Sequence, residues 1–227
     1  MQEFARLDLV GSEAQLAFRQ RRVSVMSRTQ GFIEYPFAMS EEEHGSQLND
    51  AVEWYDDHAD EVVSRYESLA PEKLNEWLRG FLPDRGGLIL DVGAGSGRDA
   101  AWLGSIGYEV IAVEPSEKMR KRGQELHGAA AITWLDDRLP GLEQVHGRGV
   151  SFDFILANAV WMHLPPAARP RAFRKLITLL KPGGRLAISF RQLGPDDARS
   201  IFPCHLEEFE KLAGNHGSIV EKRDNSG

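Results

Sequence analysis

The chain has 227 residues and a formal net charge of −7, with an isoelectric point of about 5.5. Its length and its hydrophobic content of 42% predict one α/β domain with a single core. An acidic chain does not fit a protein that binds nucleic acid through general electrostatics, because phosphate neutralisation needs a clustered Lys/Arg surface. The net charge instead favours small neutral or cationic substrates.

Cysteine content and hydropathy indicate the class of protein. Cys204 is the one cysteine, so no intrachain disulfide can form, and no Cys/His cluster with metal-ligand spacing surrounds it. The first residues carry charges and lack the apolar run of a signal peptide, and no run approaches the length of a membrane span. We therefore expect a cytoplasmic protein without a metal site or a membrane contact.

The amino-terminal part of the chain has weak periodicity. It contains a basic turn that includes Arg21 and Arg22, which would either touch an anionic partner or be solvated, and an acidic run over 40–46. We interpret residues 1–49 as an appendage and residues 50–227 as the folded domain.

Secondary structure is predicted from about residue 48 onward. Helical spacing runs to Tyr66, and a second amphipathic stretch follows Pro71. From Leu88, short apolar runs alternate with helical stretches, which indicates βαβ units around a parallel sheet. Strands are predicted at about 88–92, 109–113, 132–135, 152–157, 184–190 and 218–221, and helices at about 98–105, 116–126, 167–180 and 205–213.

A glycine-rich turn from Asp91 to Gly97 closes the first of these strands and opens a helix. Glycines there allow positive φ and close approach of a ligand, while the helix start aims free N–H groups at it. A dinucleotide fingerprint would need glycine where the chain has Arg98, which argues against an NAD enzyme. Asp91 would repel a pyrophosphate and attract an ammonium group. The turn therefore favours a nucleotide-like cofactor with an amino-acid moiety.

Carboxylates follow the next two strands. Glu114 stands about twenty residues after the first glycine, where a carboxylate can accept hydrogen bonds from both ribose hydroxyls; a surface glutamate is the alternative. Pro115 would shape the turn around the sugar. The third strand ends at Asp136 and Asp137, and we place Asp136 ahead of Asp137 as the acceptor for an adenine amino group. Either aspartate would otherwise cap the following turn.

Five segments, in order LILDVGAGSGRDAAWL, EVIAVEPS, WLDDRLP, FDFILANAVWMHL and LLKPGGRLAISF, resemble the motifs of class I S-adenosylmethionine-dependent methyltransferases. The resemblance covers about residues 50–220. It implies a Rossmann-like α/β fold, a doubly wound and mostly parallel sheet with helices on both faces. The family inserts an antiparallel seventh strand beside the sixth, for which this sequence ends too early. We therefore expect that strand to be missing, through truncation or through packing by the amino-terminal segment instead.

The resemblance also implies which residues bind S-adenosylmethionine. Tyr55 lies in a stretch similar to the helix that many of these enzymes fold over the cofactor, although a core tyrosine is the alternative. Arg98 would reach the cofactor carboxylate or an anionic acceptor, or would lie exposed on its helix. The full set of cofactor-binding residues implied by the resemblance is Tyr55, Asp91, Gly93, Ala94, Gly95, Arg98, Glu114, Pro115, Asp136 and Asn158.

Methyl transfer from a sulfonium is an in-line displacement, so the enzyme mainly aligns the acceptor in a site that excludes water. His163, after the fourth strand, is the candidate catalytic base for a hydroxyl or a protonated amine, with capping or packing as its alternative. Trp161 and Met162 would wall the acceptor pocket or pack against the sheet. Arg191 would face the acceptor side.

We expect methyl transfer to a small-molecule acceptor, by O- or N-methylation. The alternative is a non-catalytic protein that binds S-adenosylmethionine or serves as a scaffold through an incomplete methyltransferase fold.

Overall fold

Seven parallel strands form one sheet in the computed structural model of the chain, which describes residues 21–29, 50–84, 86–192 and 201–224. The order across the sheet is β4-β3-β2-β5-β6-β1-β7, and every pairing between neighbours is parallel. The strands are β1 (Arg22–Thr29), β2 (Leu88–Val92), β3 (Glu109–Val113), β4 (Ile132–Leu135), β5 (Phe152–Asn158), β6 (Leu180–Gln192) and β7 (Ile219–Asp224).

Helices connect most of these strands. Short 3-10 turns cover Glu76–Leu78, Trp161–His163 and Pro166–Ala168. No helix of the described residues has both the length and the apolar character needed to cross a membrane. The helices are α1 (50–57), α2 (Ala59–Glu67), α3 (Pro71–Leu74), α4 (Arg98–Ser105), α5 (Glu117–Leu126), α6 (Glu143–Gly147), α7 (Arg169–Leu179) and α8 (Leu206–Gly214).

The central strands are buried on both faces, which explains why they consist of apolar runs rather than alternating patterns. In β5, Ile155 and Ala157 belong to one core layer, whereas Phe154 and Leu156 belong to the other. Helices therefore cover the sheet on both sides. The predicted doubly wound, Rossmann-like α/β fold is confirmed, and the predicted strands at 88–92, 109–113 and 132–135 have the observed bounds.

No antiparallel seventh strand occurs among the described residues, and the amino-terminal segment takes its place in the sheet, which is the second of the two alternatives that we expected. Residues 22–29, which we assigned to an appendage, form an interior strand between β6 and β7. Val23, Val25 and Met26 are fully buried there. The strand runs parallel to both neighbours, unlike the antiparallel seventh strand that the resemblance implies. The rest of the predicted appendage lies outside the described residues.

The basic turn at the start of β1 has local partners. The Arg21 guanidinium donates to the carbonyl oxygen of Leu180 at 3.1 Å, and Arg22 lies 3.6 Å from the Glu221 carboxylate. Both contacts join β1 to the strands beside it. The two arginines therefore help to fix this strand in the sheet.

Replacing Met26 with alanine tests the interior position of β1. Because Met26 is fully buried, the substitution should lower the free energy of unfolding by about 2–5 kcal/mol in urea denaturation. The control Arg22→Ala removes a side chain that is 48% exposed and should cost less than about 1 kcal/mol. Small and equal effects of both substitutions would contradict an interior β1.

Candidate functional site

A cavity of about 220 Å³ opens at the carboxyl ends of the parallel strands. In an open parallel sheet this edge is where ligands bind. The cavity is walled by the glycine turn after β2, by the segments that follow β3, β4 and β5, by Arg191 near the end of β6, and by residues of α1 and α2. Ten of the eleven predicted site residues line it: Tyr55, Asp91, Gly93, Ala94, Gly95, Arg98, Glu114, Pro115, Asn158 and His163.

The glycine turn adopts a backbone that other residues rarely adopt. Gly93, Gly95 and Gly97 have φ of 68°, 57° and 81°, in the left-handed region that favours glycine. A Cβ at Gly93 would lie 2.3 Å from Cγ2 of Val160, so the turn also needs glycine for space. The turn can therefore bring its backbone N–H groups close to the cavity.

Glu114 is held between two backbone donors. Its Oε2 accepts from the Gly95 N–H at 2.8 Å, and its Oε1 accepts from the Ser116 N–H at 2.9 Å. The side chain is only 7% exposed. Burial raises the pKa of Glu114 to about 7, although the two backbone hydrogen bonds oppose that rise. Each carboxylate oxygen keeps a lone pair that can accept from a ligand hydroxyl.

Asp91 has an unsatisfied acceptor. It is 2% exposed, and its Oδ2 has no hydrogen-bond partner among the described residues. Burial, followed by the nearby charge of Asp99, raises the pKa of Asp91 well above its ordinary value. An orphaned buried acceptor in a cavity wall fits a ligand donor such as an ammonium group, which would favour the charged carboxylate.

Arg98 and Asp99 form a buried ion pair at the start of α4. The Arg98 guanidinium donates to both Asp99 oxygens, at 2.9 and 3.1 Å, and to the Tyr66 carbonyl oxygen at 3.2 Å. The Arg98 side chain is 14% exposed, so the alternative of an exposed helix arginine is wrong. Asp99 also accepts from Asn75 at 2.9 Å and from Asn158 at 2.7 Å. Asp99 also lines the cavity, and sequence reasoning did not include it among the candidate site residues.

The hydrogen-bond network continues past Asn158 onto β6. The Ser189 hydroxyl donates to Oδ1 of Asn158 at 2.5 Å and accepts from the Ala159 N–H at 3.0 Å. Ala159 has φ of 57°, a strained conformation for a residue with a side chain. These hydrogen bonds hold the strained residue in the cavity wall. Ser189 gave no signal in the sequence, because its role depends on the pairing of β5 with β6.

The two aspartates after β4 have different positions from those we predicted. Asp136 pairs with Arg120 at 3.2 Å, its side chain is 63% exposed, and it is absent from the cavity wall. Asp137 lines the cavity, and its carboxylate accepts from the N–H groups of Gln144 and Val145 at 2.7 and 3.0 Å. Asp137 therefore caps α6, and the preference for Asp136 as the adenine contact is corrected.

Tyr55 on α1 and His163 in the 3-10 turn after β5 meet at the cavity. A hydrogen bond of 3.3 Å joins the Tyr55 hydroxyl to Nε2 of His163, and the rings meet edge-on at 83°. In contrast, Trp161 and Met162 are fully buried. The Trp161 ring lies 5.3 Å from that of Phe209, so these two residues pack in the core rather than wall the acceptor pocket.

Within the described ranges, no group of three or more His, Cys, Asp or Glu side chains is arranged to hold a metal ion.

The buried Glu114 carboxyl group leads us to expect that stability depends on pH. Its pKa is about 7 in the folded protein against an ordinary value of 4.5, so the folded state binds more protons between these values. The stability that this group contributes is fully present below about pH 4.5. As the pH rises towards about 7 this contribution is lost, and the free energy of unfolding falls by on the order of 3 kcal/mol.

Urea denaturation across this pH range should show a smaller fall in the free energy of unfolding for Glu114→Gln than for the wild type. The control Asp57→Asn changes a side chain that is 75% exposed and should keep the wild-type slope. Parallel curves for the wild type and Glu114→Gln would contradict the assignment.

Sequence comparisons relate the chain to known proteins. Residues 90–188 match a family model described as a methyltransferase domain. The chain is 28% identical over 178 residues to an uncharacterized methyltransferase of Geobacillus, with 77% of this chain and 75% of that protein covered. It is 30% identical over 152 residues to a ubiquinone biosynthesis O-methyltransferase of Xanthomonas oryzae, covering 64% of this chain and 61% of that protein. The match thus spans less than two thirds of the Xanthomonas protein.

Solved structures share the fold. The 1,6-didemethyltoxoflavin-N1-methyltransferase of Burkholderia thailandensis, with bound 1,6-didemethyltoxoflavin and S-adenosylhomocysteine, matches with a TM-score of 0.60 over 81% of each chain at 24% identity. That level of identity establishes the fold alone. The matched methyltransferase domain, the motif order and the sheet make the chain similar to the class I S-adenosylmethionine-dependent methyltransferases, enzymes whose cofactor is S-adenosylmethionine.

Proposed function

We propose that the protein transfers a methyl group from S-adenosylmethionine to a small-molecule acceptor, by O- or N-methylation. The observation that carries the proposal is the buried Asp91 carboxylate, whose Oδ2 has no donor among the described residues although it lines the cavity beside Glu114. When bound, S-adenosylmethionine supplies a methyl group made electrophilic by the sulfonium. The chain's own residues have to bind the cofactor and the acceptor, align the two for transfer, and exclude water from the site.

The cofactor side of the cavity is assigned to the turns after β2, β3 and β4. Asp91 binds the ammonium of the amino-acid moiety, and Glu114 accepts from the ribose hydroxyls while its backbone donors hold it in place. Adenine is assigned to the wall that Asp137 and Leu139 contribute after β4. This order follows the sheet order β2, β3, β4, so that the cofactor spans three adjacent strand ends.

The acceptor side is assigned to the segment after β5. His163 accepts the proton that a hydroxyl or amine acceptor loses, and the hydrogen bond to Tyr55 orients the imidazole ring. The strained Ala159 and its neighbour Val160 form the wall between the two sides. General base catalysis is useful here because a protonated amine has no free lone pair for in-line attack, and a neutral hydroxyl is a weak nucleophile until it loses its proton.

The sequence comparisons support methylation without assigning the acceptor atom. One relative is named for O-methylation in ubiquinone biosynthesis, and a solved structure of the same fold is named for N1-methylation of 1,6-didemethyltoxoflavin. The proposal therefore leaves O- and N-methylation as the two outcomes of a product analysis. The non-catalytic alternative rested on an incomplete sheet, and the seven strands of the described residues remove that reason.

Turnover tests the proposal directly. The protein should form S-adenosylhomocysteine from S-adenosylmethionine when incubated with pools of small hydroxyl- and amine-bearing compounds. Calorimetry should show heat with S-adenosylmethionine and none with NADH. Absence of binding to S-adenosylmethionine would contradict the proposed function, and binding without turnover in any pool would favour the non-catalytic alternative.

With the acceptor found in that screen, His163→Ala should lower kcat by about a hundredfold or more, because removal of a general base has effects of that size. Affinity for S-adenosylmethionine should stay at the wild-type value. The control His205→Gln changes an exposed histidine that does not line the cavity and should leave kcat unchanged. An unaltered kcat in His163→Ala would remove the histidine from the catalytic step.

A further inference from the structure

We propose that the methyl acceptor carries an anionic oxygen group, a carboxylate or a phosphate, and that Arg191 binds it. The inference rests on the proposed function and adds the chemical class of the acceptor. Arg191 is half-buried and lines the same cavity as Asp91 and Glu114. A half-buried cation in a binding cavity gains most from an anionic partner that forms charge-assisted hydrogen bonds.

The position of Arg191 is set by β6. Side chains along a strand alternate between its two faces, so Arg191 lies on the same face as Ser189. Ser189 hydrogen-bonds to Asn158 and Ala159 at the end of β5. Arg191 therefore continues the polar side of the cavity beyond β5, on the wall to which the acceptor is assigned.

The arginine has no partner of its own among the described residues. No carboxylate among the described residues lies within ion-pair distance of Arg191, whereas three other buried or half-buried arginines, Arg98, Arg120 and Arg169, each have a carboxylate partner. Arg98 is paired with Asp99, and Arg169 with Glu208. The positive charge of Arg191 is thus available to a ligand.

A second arginine is brought to the same sheet edge. In the register of β1 with β6, Arg28 is the backbone partner of Arg191. The carboxyl ends of these two neighbouring strands thus each carry an arginine.

The sheet order separates the two charges. Strand β5 lies between β2, which carries Asp91, and β6, which carries Arg191. The ammonium end of the cofactor and the anionic group of the acceptor would thus bind on opposite sides of β5. The net charge of −7 suggests a neutral or cationic substrate, but surface charges beyond about 8 Å are largely screened at physiological salt. The local arginine decides the preference.

Binding of matched probes tests the inference without knowledge of the acceptor. Benzoate, phenyl phosphate and benzamide are titrated into the S-adenosylhomocysteine complex of the wild type and of Arg191→Gln. The wild-type complex should bind at least one of the two anions about tenfold more tightly than benzamide, and Arg191→Gln should lose that preference. The anion that binds more tightly identifies the carboxylate or the phosphate class.

The controls separate this inference from the proposed function. Arg191→Lys should keep part of the preference, since it retains the charge. Arg79→Gln, which changes a side chain that is 81% exposed and outside the cavity, should bind all three probes as the wild type does. Equal affinity for anions and benzamide in the wild type, or a preference kept in Arg191→Gln, would overturn the inference. If the wild type does not bind S-adenosylhomocysteine at all, the proposed function is overturned instead.

Discussion

Two carboxylates, Asp91 at the end of β2 and Glu114 just after β3, are buried side by side where the sheet meets the cavity. A carboxylate removed from water is costly unless donors or opposite charges compensate it, and burial raises the pKa of both groups. The N–H groups of Gly95 and Ser116 compensate Glu114, which requires the left-handed glycine turn. Asp91 keeps an unpartnered Oδ2 among the described residues. The fold therefore leaves one buried acceptor in the cavity wall, which suits the cationic ligand group that we propose binds there.

Asp99, at the start of the helix that follows the glycine turn, connects that turn to the cavity wall at β5. Its carboxylate accepts from Arg98 within its own helix and from Asn158 at the end of β5, and Asn158 in turn accepts from Ser189 on β6. One hydrogen-bond network thus joins the start of α4 to β5 and β6 and also supports the strained Ala159. Such a network would fix the distance between the proposed cofactor side and the proposed acceptor side. Preorganisation of this kind is what alignment of an in-line transfer needs.

Local patterns predicted much of this arrangement. Strands such as β2 and β3 are apolar runs bounded by glycine, proline or acidic residues. The glycines and the carboxylate that characterise the glycine turn lie within a few consecutive residues, so a local pattern is enough to find them. Strand β1 was not predicted, because its apolar residues Val23, Val25 and Met26 form only a short stretch interrupted by a serine, and its partner strands lie far away in the chain. Asp136 and Asp137 were not distinguishable from sequence, because their orientation depends on α6, which begins on hydrogen bonds to Asp137. Ser189 depends likewise on strand pairing.

The pairing of Asp91 with the ammonium of the cofactor is the central claim, and a comparison of two ligands tests it most directly. S-adenosylhomocysteine and 5′-deoxy-5′-methylthioadenosine share the nucleoside, but only the first carries the amino-acid ammonium. In calorimetric titrations, Asp91→Asn should weaken binding of S-adenosylhomocysteine by about tenfold or more and leave the affinity for methylthioadenosine nearly unchanged. Equal losses for both ligands, or no loss for either, would contradict the account.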